Sequence, residues 1–260
     1  MSSYNKIYYA SKYLKYLFIA KNKHGVHSPF LYDFITKVVN NKGEYYSFKE
    51  IERLLLTLQL NSDKINITNF GTGKSKPESI SNIAYNSTQI KRYSRLMFRM
   101  VDYFKPSNII ELGTSLGIST SYLAKANSKT TVHTIEGCPD TANVASSNFR
   151  KLNLKNINLI VGDFTEELPK LLKTERTIGL LYIDGNHALK PTLEYFNLAL
   201  NYVNQDSIII FDDIHWSKEM ELAWESIIEH KKITLSIDLF KIGIVFFNNK
   251  LSKQHFYIKF

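Results

Sequence analysis

Residues 108–124 read NIIELGTSLGISTSYLA. A short apolar run ending at Leu112 gives way to Gly113 and Gly117, after which helical spacing resumes toward Tyr122. Strand, glycine turn and helix make the first half of a βαβ unit, and open α/β sheets bind ligands at the carboxyl ends of their strands. The turn therefore stands where a cofactor loop belongs. A dinucleotide fingerprint wants glycines at its first, third and sixth places, and counting from Gly113 the latter two hold Ser115 and Ile118, which disfavours NAD and FAD.

Downstream, the β-rich runs TVHTIE, INLIVGD, IGLLYID and SIIIFDD alternate with the helical stretches TANVASSNFRKL, LEYFNLALNYV and EMELAWESIIEH. Near-continuous apolar strands separated by helices predict a parallel sheet covered on both faces. KITLSIDLF and KIGIVFF then follow one another without a helix, which predicts an antiparallel hairpin at the sheet edge. Upstream, YYASKYLKYLFIA, SFKEIERLLLTLQL and IKRYSRLMFRMVDYF have helical spacing, and Ser47 with Glu50 forms a capping-box pattern. Residues 61–80 read as loop. The stretch TNFGTGKS (68–75) is not expected to be a P-loop, because Thr68 stands where its first glycine belongs and Pro77 opposes a helix after the lysine. The expected division is a helical extension over 1–85 and an α/β domain over 86–260.

Acidic residues fall at the strand ends: Glu111 in the first, Glu136 closing TVHTIE, Asp163 in LIVGDF and Asp184 in LLYIDGNH. Glu136 is placed to accept both ribose hydroxyl protons of a nucleoside cofactor. Any one of these acids alone is more often a turn former or helix cap; the reading rests on four together. The spacing acidic-x-Gly-x-x-x-Gly at Glu111, Gly113 and Gly117 resembles motif I of class I S-adenosylmethionine-dependent methyltransferases. With TIEGCPD, YIDGNHALKPTLEYF and FDDIHWSKEMELAW, the chain over about 85–250 is similar to a bacterial branch distantly like the catechol and caffeoyl-CoA O-methyltransferases, and HGVHSPF resembles that branch's amino-terminal extension. The resemblance implies a Rossmann-like, doubly wound, mostly parallel seven-stranded sheet. It implies S-adenosyl-L-methionine as cofactor, held by Glu111, Gly113, Thr114, Ser115, Gly117, Glu136, Gly137, Asp163, Phe164 and Asp184. Asp163 would bond the adenine amine, with Phe164 beside the ring.

Methyl transfer to an oxygen needs a positioned acceptor and a base for its proton. His187, just past the fourth strand, is one candidate base, working with Asp184. A metal is the other: Asp184, Asp212 and Asp213 form an oxygen set suited to Mg²⁺ or another divalent cation. The resemblance places two Asp and one Asn in that trio, so Asp213 departs from it. The alternative reading of Asp212 and Asp213 is a cap for the following helix. His215 and Trp216 either line the acceptor pocket or pack. A small-molecule hydroxyl is the expected acceptor. RNA is the rival, suited by a basic front end but lacking the Asn/Asp-Pro-Pro-aromatic run of base-amine methyltransferases; a non-catalytic cofactor-binding protein is the third class.

The 260 residues are 44% hydrophobic and carry a net charge of +9. Residues 1–100 hold 16 Lys/Arg against 6 Asp/Glu, the remainder 17 against 18, so the excess lies wholly in the front part. Without a block of five like charges this reads first as a Lys-rich helical surface. Cys138 is the single cysteine, which excludes a disulfide framework and a cysteine-built zinc site. No apolar run approaches a membrane span and no signal peptide opens the chain, so a cytoplasmic protein is expected, with a homodimer open to it.

Overall fold

The computed structural model describes residues 3–69, 74–86 and 91–260, so Phe70–Gly73 of the glycine stretch lie outside the described residues. From the N-terminus run α1 (Ser3–Ile19), α2 (Pro29–Phe34), continued as π-helix to Val39, and α3 (Tyr46–Gln59). β1 (Lys64–Asn69) and β2 (Lys74–Ser79) precede α4 (Ile80–Asn86) and α5 (Lys91–Phe104). Strand and helix then alternate through β3 (Ile109–Leu112), α6 (Ile118–Ala126), β4 (Val132–Glu136), α7 (Pro139–Lys151), β5 (Ile157–Val161) and α8 (Phe164–Glu175). The alternation continues through β6 (Ile178–Ile183), α9 (Leu189–Ala199), β7 (Val203–Phe211) and α10 (Lys218–Glu229). β8 (Leu235–Asp238), β9 (Gly243–Phe246) and β10 (Gln254–Tyr257) follow.

The chain divides into two compact units, one made of Met1–Asn40 with Thr174–Phe260, the other of Asn41–Lys173. In the second unit β3, β4 and β5 pair in parallel, Ile109 opposite Val132 and Glu136 opposite Val161. All four residues of β3 are buried, as a strand covered on both faces requires. Phe48, Ile51, Leu55 and Leu58 of α3 make an apolar stripe that packs with Phe98, Ile118 and Tyr122 into that unit's core. In the first unit β6 and β7 are parallel, β9 runs antiparallel to both β7 and β8, and β10 lies parallel to β8. The expected β8–β9 hairpin is present, but β10 extends beyond it, so among the described residues the α/β part has eight strands and not seven.

Three further expectations need correction. Residues 61–80 hold an antiparallel pair, β1 with β2, in which Pro77 opposes Asn66; β2 reads KSKPES, whose lack of apolar residues hides it from pattern reading. The capping box at Ser47 and Glu50 does not form, because α3 begins after Tyr45 and Glu50 instead pairs with Lys125 at 2.9 Å. The helix α8 was not among the expected stretches: Pro169 lies inside it and removes one i→i−4 bond, and Leu168, Leu171 and Leu172 bury the inward face despite that loss.

Candidate functional site

Between β3 and α6 the chain turns through two glycines that need left-handed backbone, Gly113 at φ 102° and Gly117 at φ 79°, with Ser115 also left-handed at φ 49°. A Cβ on Gly117 would stand 2.4 Å from Phe149 Cε1, so only glycine lets α7 approach the start of α6. The loop is tied down at several points. Gly113 N–H donates to the Ile135 carbonyl and Gly117 N–H to that of Thr114, while the Thr114 and Thr134 hydroxyls lie 2.6 Å apart. Glu136 at the end of β4 accepts the Ser115 N–H at 2.8 Å and the Cys138 N–H at 2.9 Å, which binds the loop to the neighbouring strand end. Burial raises the pKa of Glu136, against the bonds from those amides.

Glu111 lies beneath this loop, wholly buried, accepting the Thr120 hydroxyl at 2.5 Å and the Thr134 hydroxyl at 2.7 Å. Burial pushes its carboxyl up to about 7, the hydroxyl bonds only partly opposing the shift. Gly137 follows Glu136 and leads into α7. Asp163 accepts the Thr165 N–H at 2.7 Å, and its carbonyl receives Glu166 and Glu167, so it caps α8, which Phe164 opens. Of the expected cofactor residues, Glu111, Gly113, Thr114, Ser115, Gly117 and Glu136 thus form one bonded group in the second unit.

The first unit carries the acidic group. One ligand atom each from Asp184, His187 and Asp212 lie within 4.8 Å of one another. Asp184 ends β6, where it accepts the Tyr182 hydroxyl at 3.0 Å and faces His187 Nε2 at 3.6 Å. Asn186, left-handed at φ 56°, turns the chain so that His187 comes back toward Asp184. Asp213 does not join this group; its Oδ1 receives Lys241 Nζ at 2.6 Å, and Lys241 also reaches Asp212 Oδ2 at 3.0 Å. Burial pushes Asp184 up to about 6, against a bond from Asp212 and the charge of Lys241. Asp212 is held well above the usual carboxylate range by burial and then by the charges of Asp184 and Asp213. For Lys241, burial works against the cation, but Asp212 and Asp213 outweigh it and keep the ammonium charged.

The alternative reading of Asp212 and Asp213 as helix caps is not met. Ser217 caps α10, its side chain accepting Met220 N–H at 3.2 Å. His215 packs inside, with Nε2 2.7 Å from Asp238 Oδ2, whereas Trp216 stays partly exposed with its ring 6.3 Å from that of Tyr9. Lys241 was not expected from the sequence. Its one signal is position, a lone cation between two apolar β runs in SIDLFKIGIVFF.

The chain is similar to several known methyltransferases. A family model described as a methyltransferase domain matches residues 110–214. A catechol O-methyltransferase of Niastella koreensis is 31% identical over 110 residues, covering 41% of this chain and 49% of that protein. A protein-L-isoaspartate O-methyltransferase of Methanocella arvoryzae is 29% identical over 82 residues, covering 31% and 44%. The chain spans less than half the length of the curated relatives it matches. Among solved structures, the S-adenosylhomocysteine-bound Podospora anserina methyltransferase PaMTH1 superposes with a TM-score of 0.60 at 15% identity, over 85% of this chain and 97% of that one. A Bacillus cereus O-methyltransferase in complex with the same compound gives 0.53 at 16%, over 81% and 95%. The family model thus covers residues 110–214, a stretch that includes the Gly113–Gly117 loop, and the solved structures share the fold.

Proposed function

We propose that the protein is an O-methyltransferase that methylates a hydroxyl of a small molecule, with His187 as the base. The observation that carries this reading is the grouping of His187 with Asp184 and Asp212 within 4.8 Å. S-adenosyl-L-methionine, when bound, supplies a methyl group activated by its sulfonium. The Gly113–Gly117 loop binds it, Glu136 takes the ribose hydroxyls with the lone pairs its two amide bonds leave open, and Asp163 and Phe164 meet the adenine. His187 takes the acceptor O–H proton as the oxygen attacks the methyl carbon; the carbon–sulfur bond breaks and its electron pair stays on sulfur. Asp184, 3.6 Å from His187 Nε2, stabilises the imidazolium that results.

A Mg²⁺ ion on Asp184, Asp212 and Asp213 does not fit these residues. Asp213 is committed to Lys241. The third donor within reach is the His187 imidazole, a nitrogen ligand that Mg²⁺ disfavours. No step is therefore assigned to Mg²⁺.

Methyl-labelled cofactor offered with a panel of phenolic and sugar hydroxyls, alongside total RNA, tests the proposal. Label is expected on a small molecule, and His187→Ala should lower turnover by about 10²–10⁴, the usual weight of a general base. Label on RNA, or undiminished turnover in the variant, would overturn it.

A further inference from the structure

The Lys241 ammonium is held in place from both ends by unusual backbone. Asp213, which receives it at 2.6 Å, is left-handed at φ 53°, and Phe240, which precedes it, is left-handed at φ 69°. Neither residue is glycine, and such conformations persist only where the surroundings over-determine them; they gather at functional sites. The surroundings do so here. Asp238 Oδ1 accepts the Phe240 N–H at 2.7 Å, and its other oxygen holds His215 Nε2 at 2.7 Å. The His215 ring stacks on Phe240 at 5.3 Å, while Tyr9, Tyr13 and Tyr16 of α1 close round the same ring at 4.9, 4.8 and 5.3 Å.

What this turn presents is a fixed positive charge among carboxylates. Lys241 bridges Asp212 and Asp213, with its side chain 16% exposed and theirs 4% and 17%. A divalent cation on the same carboxylates would face an ammonium 3.0 Å from an Asp212 oxygen, and like charges so placed repel strongly where water is scarce. An aspartate at position 213, where the resemblance expects asparagine, gives the ammonium its second anchor. Resting on the reading of this group as the acceptor site, we propose that the site is metal-independent and that Lys241 supplies the positive charge that catechol-type enzymes draw from a divalent ion. Lys241 is then the counter-ion toward which an acceptor oxygen becomes negative as His187 removes its proton.

The test is calorimetric titration of the full chain with Mg²⁺ and with Mn²⁺, paired with methyl transfer in EDTA. The wild type should bind neither ion below millimolar concentration, and EDTA should leave turnover unchanged. Lys241→Met should lose turnover by tenfold or more while keeping its S-adenosylhomocysteine affinity within about twofold, as expected of a residue outside the cofactor loop. The double variant Lys241→Met, Asp213→Asn, freed of the ammonium, should gain Mn²⁺ binding. Micromolar Mg²⁺ or Mn²⁺ binding by the wild type, or activity lost in EDTA and restored by either ion, would overturn the proposal. The metal titration needs neither turnover nor a variant, so a chain that binds no metal yet transfers no methyl would count against the O-methyltransferase reading alone.

Discussion

Glu111 and Gly117 show at the residue scale how the loop after β3 is tuned. The Glu111 carboxyl is pushed from 4.5 up to about 7, so between those values the folded chain holds a proton that the unfolded chain has released. Stability attached to this group is therefore present below about pH 4.5 and declines as pH rises to about 7, by roughly 3 kcal/mol at 1.36 kcal/mol per unit. Glu111→Gln keeps an acceptor for Thr120 and Thr134 and should flatten that slope, raising stability relative to wild type at pH 8 in denaturant titrations; an unchanged slope would assign the titration elsewhere. Gly117→Ala meets two penalties, left-handed backbone and a clash with Phe149, and should cost about 2–4 kcal/mol. Much of this was legible: Glu111, Gly113, Gly117 and Glu136 stand where the strand-end reading put them. Lys241 was not, because nothing local says which carboxylates a turn lysine will meet after the chain has passed through α10 and β8.

Among the elements, α1 carries the most consequence. Tyr16 bonds the Ile258 carbonyl and packs with Phe240, Tyr8 and Lys12 both reach Glu221 of α10, and Lys12 does so at 2.6 Å. The helix is thus part of the unit's core and not a free tail, which its aromatic content implied. Phe240→Ala should cost about 3–5 kcal/mol, as large-to-small core changes do. Because Phe240 adjoins Lys241, turnover should fall with it; a variant as stable as wild type would show that the ring cluster does not hold the turn. Element types were readable wherever apolar spacing was strong, as in α3, α5 and the central strands. They were lost where pairing alone makes the strand, as in β2, or where a proline sits in an otherwise regular helix, as in α8.

Across the whole molecule, the basic front part loses much of its force as an argument for nucleic acid. Lys12, Lys37, Lys76, Lys91 and Arg95 are all engaged by carboxylates, Arg95 by both Glu44 and Glu52. Activity should accordingly change little as salt rises, whereas binding through 6–10 phosphates would lose about 10³–10⁵ in affinity between roughly 50 and 200 mM. Among the described residues no helix is long and apolar enough to cross a membrane. The cofactor claim underlies all of this, and calorimetry of S-adenosylhomocysteine on the full chain reads it directly. The wild type should bind, and Glu136→Ala should bind more weakly by about 1.5–3 kcal/mol for each hydrogen bond lost to the charged carboxylate. No binding by the wild type, or the same affinity in Glu136→Ala, would contradict the account.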